Sequence, residues 1–204
     1  MARNGKIIFS APKLTVNGLR INPGCTVYNV FEGTGTASNP KLKTLIADDV
    51  VVDDVDLLHN VFNVYQPDDN AEITIKNSSF NMNPSNSNAI RLANYRNAKN
   101  VTVTFENVNW TFENAQNVPD ADWDWAGLIL YQPASNDHAL NGNYEEINTW
   151  TFKFKNCKYN GEAIDSINFG THKQLMYFYN LNKNSIAIDP TNNELGVNPT
   201  IIFE

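Results

Sequence analysis

A five-residue pattern recurs along the chain and constrains its fold more than any other feature. Each copy alternates apolar and polar residues and ends in asparagine. The copies are residues 73–77, 103–107 and 152–156, with 176–180 as a fourth. An aromatic residue follows each of the first three asparagines by three positions, as Phe80, Trp110 and Tyr159. Alternation with a period of two predicts strands whose successive side chains face opposite sides.

A second strand type follows each copy after a gap. Its members are residues 88–92, 126–130, 162–167 and 184–188, with 61–67 as an earlier one. The asparagines that end the first pattern are 30, 49 and 24 residues apart, and the longest interval holds an insertion around 112–149. Repeats of a few tens of residues are typical of solenoids, propellers and arrays.

These repeats predict an all-β fold, a short right-handed parallel β-helix in which equivalent residues of successive coils stack in columns. The first column is expected to hold Ile73, Val103 and Phe152, and the next Ile75, Phe105, Phe154 and Phe178. A β-sandwich is the alternative; it explains the alternation but not the recurrence of the same residue types in register.

Asparagine is the most unusual component, with 33 among 204 residues. It tolerates left-handed backbone and forms hydrogen bonds in turns. We expect a column of Asn77, Asn107, Asn156 and Asn180 at the bend between two strands, with side-chain amides bonded along the stack.

Three regions follow from the pattern. Residues 1–40 carry several prolines and glycines and predict an irregular N-terminal cap that serves for attachment. Residues 41–190 hold the coils with their insertion, and residues 191–204 predict a C-terminal capping strand that covers an exposed edge.

Charge and composition disfavour several classes of function. The net charge is −7 and the 15 basic residues are scattered, so nucleic acid is not an expected partner. The two cysteines and three histidines are isolated, which disfavours a disulfide framework or a metal site. We expect no cofactor, no membrane segment and no export signal.

The carboxylates nearest to a catalytic pattern lie in the insertion, where acidic residues alternate with tryptophans. The residues are Asp120, Asp122, Asp124, Trp123 and Trp125. They could bind a glycan or calcium, or act as an acid–base pair; alternatively the tryptophans cover the end of a coil. Tyr28, Phe31 and Tyr131 are further candidates for contacts with a partner or glycan, because aromatic residues anchor interfaces.

The repeats written VTVTFENVNWTF and WTFKFKNCKY, in an acidic chain without a catalytic set, resemble small structural proteins of tailed-phage virions over residues 42–190. The resemblance implies a non-enzymatic capsid auxiliary or decoration protein. Such a protein is made in the host cytoplasm, is located in the virion, and binds capsid subunits or other copies of itself as a homo-oligomer. The alternative is a tail or fibre protein that binds or depolymerises a host glycan.

Overall fold

The computed structural model describes most of the chain. The described residues are 6–22, 29–33, 42–53, 60–82, 87–95, 97–111, 127–133, 145–169, 175–178, 186–187 (backbone only) and 197–204. Within these ranges the chain forms strands and one short 3-10 turn, Ile147–Thr149, with no α-helix. None of the described residues forms a helix long and apolar enough to cross a membrane.

The described residues form seventeen strands. In chain order, they are β1 Ile7–Phe9, β2 Lys13–Asn17, β3 Arg20–Ile21, β4 Asn29–Gly33, β5 Leu42–Asp48, β6 Val51–Asp53, β7 Asn60–Tyr65, β8 Pro67–Asn81, β9 Asn88–Asn94, β10 Thr102–Thr111, β11 Ile129–Pro133, β12 Thr151–Lys155, β13 Lys158–Tyr159, β14 Glu162–Ala163, β15 Met176–Phe178, β16 Ile186–Ala187 and β17 Thr200–Phe203.

The strands form two sheets between which the chain alternates. The seven-stranded sheet has the order β1-β4-β7-β9-β11-β15-β16. The ten-stranded sheet contains β2, β5, β8, β10, β12 and β17 as one stacked series, with β3, β6, β13 and β14 beside them. Each strand pairs parallel with its counterpart from the next pass of the chain, except at the C-terminal end. The fold is therefore all-β, with stacked parallel sheets.

The predicted columns are present in the ten-stranded sheet. Val103 of β10 lies opposite Ile73 of β8 and Phe152 of β12, and Phe105 lies opposite Ile75 and Phe154. The rings of Phe105 and Phe154 stack with their centroids 5.3 Å apart. These columns are buried and belong to one continuous hydrophobic core. The central prediction for these residues is confirmed.

The assignment of Phe178 to that column is wrong. Residues 176–178 form β15, which lies in the seven-stranded sheet, where Phe178 is the neighbour of Tyr131. The three residues are all buried in β15, and so short a segment does not show from its sequence which sheet it joins. The C-terminal strand β17 instead supplies the next member of the column, with Phe203 opposite Phe154.

The predicted alignment of the second strand type is one residue out of register. Arg91 of β9 lies opposite Asn63 of β7 and Leu130 of β11, and not opposite Ile129. The assignment of residues 162–163 and 186–187 to parallel strands is also wrong, because β14 and β16 pair antiparallel with β13 and β15. β14 and β16 are each the last strand of their series, and each pairs antiparallel with the strand before it.

The N-terminal region is more regular than predicted. β2, β3 and β4 pair parallel with β5, β6 and β7, so residues 13–33, where described, form a complete pass of the stack. The prolines and glycines indicated irregular structure, but Gly18 lies at a bend with φ 73° that the fold requires in every pass. The irregular cap is therefore wrong for these residues.

Candidate functional site

The predicted asparagine column lies at the bend of the ten-stranded sheet. Asn77, Asn107 and Asn156 all have left-handed backbone, with φ of 50°, 54° and 48°. The Asn107 Nδ2 donates to Asn77 Oδ1 at 2.9 Å, and the Asn156 Nδ2 donates to Asn107 Oδ1 at 2.8 Å. The amides of Asn77 and Asn107 both donate and accept, since Asn77 also donates to Asp48, and asparagine is a small side chain that can do this in the left-handed conformation. The prediction for these three is confirmed; Asn180 lies outside the described residues.

The column continues toward the N-terminus with other residues. Asn77 Nδ2 donates to Asp48 Oδ1 at 2.9 Å, and the left-handed position of that pass is occupied by Asp49 with φ 56°. Arg20 binds the Asp49 carboxylate through two hydrogen bonds of 2.8 and 2.9 Å. The left-handed position of this bend is thus occupied by Gly18, then Asp49, and then asparagine in the later passes. A search for asparagine alone therefore misses the first two members.

A row of alternating charges runs beside the amides. Asp48, Lys76, Glu106 and Lys155 lie opposite one another on successive strands. Lys76 is 3.2 Å from Asp48, and Lys155 is 2.9 Å from Glu106. The hydrogen bond from Asn77, followed by that from Lys76, lowers the pKa of Asp48, and the hydrogen bond to Glu106 raises the pKa of Lys155. The exposed ladder therefore pairs charges along the stack.

A second asparagine row, which the sequence reasoning missed, is buried in the seven-stranded sheet. Asn29, Asn60 and Asn88 lie opposite one another on β4, β7 and β9, each at most 2 % exposed. Asn60 Nδ2 donates to Asn29 Oδ1 at 2.7 Å, and Asn88 Nδ2 donates to the carbonyl of Gly127. The sequence does carry a signal for this row, because the intervals between the three asparagines equal the intervals between the paired strands.

The richest polar cluster of the described residues surrounds Arg91, which is only 4 % exposed. Its guanidinium donates to Asn63 Oδ1 at 3.3 Å and to Gln132 Oε1, and to the hydroxyls of Tyr65 at 3.1 Å and Tyr95 at 2.8 Å. It also lies 5.1 Å from the centre of the Tyr65 ring, within cation–π range. These five hydrogen bonds match the five N–H groups of an arginine.

The Arg91 cluster connects three passes of the chain. Asn63 and Tyr65 belong to β7, Arg91 to β9 and Gln132 to β11. The N–H groups of Arg91 all donate to acceptors within the protein, so this side chain holds the three strands together. Burial raises the pKa of Tyr95 although Arg91 opposes that shift, so the hydroxyl stays protonated at neutral pH.

The predicted acidic–tryptophan site, Asp120, Asp122, Trp123, Asp124 and Trp125, lies outside the described residues, as does Tyr28. The segment that carries it rejoins the sheet at Gly127. There φ is 101°, and a Cβ would lie 2.8 Å from the ring of Tyr177. The path of the chain into β11 therefore requires glycine.

Phe31 and Tyr131 do not offer surface contacts, and this part of the prediction is wrong. Phe31 stacks on Phe62 at 5.4 Å, and Tyr131 contacts Trp150 edge-on at 5.1 Å. Both are buried, because they occupy core-facing positions of β4 and β11. Burial also raises the pKa of Tyr131, whose hydroxyl accepts a hydrogen bond from Asn94 at 3.0 Å.

The described residues hold no group of three or more histidine, cysteine or acidic side chains that could bind a metal ion. Cys157 is a buried free thiol, and burial is the main cause that raises its pKa. It therefore packs as a small apolar side chain rather than as a nucleophile.

In comparisons with known proteins, no protein-family model, no curated protein and no solved structure matches the chain.

Proposed function

We propose that the chain is a right-handed parallel β-helix that serves as a non-enzymatic structural protein of a virion, as a capsid auxiliary or decoration protein. The observation that carries the proposal is the stack itself. Equivalent residues of successive passes lie opposite one another from β2 to β17, with the amide and charge ladders on the outside and aromatic rings in the core.

Parallel registers support a β-helix over the β-sandwich. A sandwich pairs its strands antiparallel and joins neighbours by hairpins. Here the long interval between β10 and β12 changes the loop but not the register, and Asn107 still bonds to Asn156 across 49 residues of sequence. A solenoid tolerates such insertions because each pass contacts only its neighbours.

The stack supports a mechanical role. Backbone ladders join the successive passes, and Asn–Asn hydrogen bonds and stacked rings such as Phe105 on Phe154 reinforce the later ones. Arg91 and Asn88 are buried polar side chains, and their hydrogen bonds hold neighbouring passes together. A particle component outside a cell needs resistance to unfolding, and these contacts between passes must be broken before the fold can open.

The test is whether the protein is a stoichiometric component of a phage particle. Phage particles purified from the source culture would be analysed by quantitative mass spectrometry, and the purified protein would be tested for co-sedimentation with particles that lack it. We expect a fixed copy number and saturable rebinding. The chain's absence from particles, together with release of fragments from host polysaccharide, would instead support the glycan-depolymerising alternative.

Deleting residues 1–40 is a poor test of attachment, because β2, β3 and β4 belong to the stack. Charge substitutions at exposed positions of the sides, such as Lys43→Glu and Glu72→Lys, probe particle binding without removing a pass.

A further inference from the structure

The large hydrophobic side chains that the described residues expose lie at the two ends of the stack. Ile7 and Ile8 on β1 are 55 % and 57 % exposed, and β1 is the first strand of the seven-stranded sheet. Ile167 is 89 % exposed and follows β14, the last strand in the order of the other sheet. Between the ends, the outer rows of the described strands carry threonines and paired charges, so among the described residues the large exposed apolar side chains lie at the ends.

At the C-terminal end, Ile167 is held in a hydrogen-bonded turn. The Asp165 Oδ1 accepts from the backbone N–H of Ile167 at 2.8 Å and from that of Asn168 at 3.0 Å. The next residue, Phe169, packs against Phe203 of β17 with ring centroids 5.5 Å apart. The exposed isoleucine and the edge of β17 therefore form one surface, which we call the C-end.

Only one edge of β17 forms backbone hydrogen bonds with another described strand. Thr200 donates its N–H to the carbonyl of Trp150, just before β12, and Glu204 donates to that of Phe154 in β12; no other described strand pairs with β17. Because alternate residues of a parallel strand bond to opposite neighbours, the backbone groups of Ile201 and Phe203 face away from β12. Their side chains are half-buried.

The N-end, formed by β1 and β2, presents the complementary edge. The Pro12 carbonyl accepts from Thr44, and Gly18 donates to Asp48, so the even-numbered residues of β2 face β5. The backbone groups of Lys13, Thr15 and Asn17 therefore face away from β5. Among the described strands, β2 pairs with β5 alone.

The two edges match in the register that runs through the whole stack. Since Leu14 and Val16 begin the two core columns that Ile201 and Phe203 end, placing β17 of one copy beside β2 of another continues both columns. In this register Lys13 would lie opposite Thr200, so the two strands bring no like charges together.

We propose that copies of this chain associate head to tail, with the C-end of one copy against the N-end of the next. The contact consists of β17 adding in parallel to β2, which also covers the ends of the stack that carry the exposed Ile7, Ile8 and Ile167. The antiparallel strands β14 and β16 close the other strand series at the C-end, which leaves β17 as the edge that can accept a strand. The inference rests on the stacked fold and not on the location in a virion.

The test uses two variants of the full chain that each block one end. The N-blocked variant carries Ile8→Glu and Thr15→Pro, which place a charge on the N-end and remove an outward N–H without a bond to β5. The C-blocked variant carries Ile167→Lys and Ile201→Pro, which place a charge on the C-end and remove an outward N–H without a bond to β12. Matched controls are Thr15→Ala, which keeps the N–H, and Thr104→Glu on the side of the stack. Far-UV circular dichroism confirms the fold of each.

Sedimentation velocity over a hundredfold range of concentration is the readout. We expect the wild type and both controls to form oligomers whose mass grows with concentration, and each blocked variant alone to stay monomeric. An equimolar mixture of the two blocked variants should form dimers and nothing larger, since one free C-end meets one free N-end. A monomeric wild type, a C-blocked variant that dimerises alone, or a mixture that stays monomeric would each overturn the proposal. Particle binding is measured separately, so its failure leaves this result standing.

Discussion

Replacing Asn107 separates the two contributions of the amide ladder, left-handed backbone and side-chain hydrogen bonds. Asn107→Gly keeps the backbone conformation and removes both ladder bonds, to Asn77 and from Asn156. Exposed hydrogen bonds contribute near the lower end of the usual range, so two of them give a loss of about 1 kcal/mol. Asn107→Ala removes the same bonds and also places a Cβ at φ 54°, which brings the total to about 2 kcal/mol.

Urea unfolding followed by tryptophan fluorescence measures both variants, with the free energy of unfolding extrapolated to water. The control is Asn109→Ala, an exposed asparagine of the same strand outside the ladder, which should change stability by less than about 0.5 kcal/mol. Equal stability of the alanine and glycine variants would refute the backbone argument. A glycine variant as stable as the wild type would refute the ladder argument.

Other parts of the fold give four more predictions. Phe154→Ala empties the aromatic column and should lower the free energy of unfolding by about 3–5 kcal/mol in denaturant titration. Gly127→Ala forces a Cβ against Tyr177 and should lower the melting temperature in calorimetry. Burial raises the pKa of Tyr159 to about 12 from its ordinary 10, so stability should fall between pH 10 and 12, where the unfolded tyrosine ionises and the folded one keeps its proton. Arg91→Met leaves the acceptors around it without their donor and should cost at least about 2 kcal/mol in urea.

Each of these has a matched control. Phe203→Ala removes a half-buried ring and should cost less than Phe154→Ala. Gly18→Ala also has positive φ but meets open space, so it should be the milder glycine variant. Tyr159→Phe should flatten the stability profile above pH 10, and an unchanged slope would contradict the assignment of that slope to the buried Tyr159 hydroxyl. An Arg91→Lys variant as stable as wild type would show that the fork of donors is not needed.

The sequence was sufficient for β8, β10 and β12 of the ten-stranded sheet because their repeated pattern carries two marks. Alternation indicates the face of each residue, and the asparagine indicates the position along the strand. Together they determine the register of Val103 and Phe105 against Phe152 and Phe154. The same marker identifies three left-handed bends.

The seven-stranded sheet lacks such a marker. Both faces of β9 are buried, so apolar residues occur at consecutive positions and a shift of one residue costs nothing in the pattern. That is why the pattern aligns Arg91 with Ile129 instead of Leu130, and why it assigns β15 to the other sheet. The buried Asn60 and Asn88 mark the register of β7 against β9, but β11 has no asparagine and so does not carry this mark.

The aromatic residues were predicted as contact sites on the assumption that their side chains are exposed. Near the end of a strand, the alternation of residue types does not show whether a side chain is exposed or buried. Tyr131 lies beside a loop in sequence, yet its core-facing position in β11 places the ring against Trp150. The Arg91 cluster joins residues from three passes that are far apart in the sequence, so the sequence alone does not indicate that they meet. The candidate acidic–tryptophan site stays a prediction.

Disulfide scanning between β10 and β12 tests the central claim most directly, because parallel and antiparallel strands pair different residues. Two cysteines at a time would replace outward-facing residues in a background without Cys25 and Cys157, and oxidation would be followed by gel mobility and thiol counting. Parallel stacking predicts cross-links for 102 with 151 and for 106 with 155, whose backbones lie side by side. Cross-links for 102 with 155 and for 106 with 151 would show antiparallel pairing and would contradict the stacked fold.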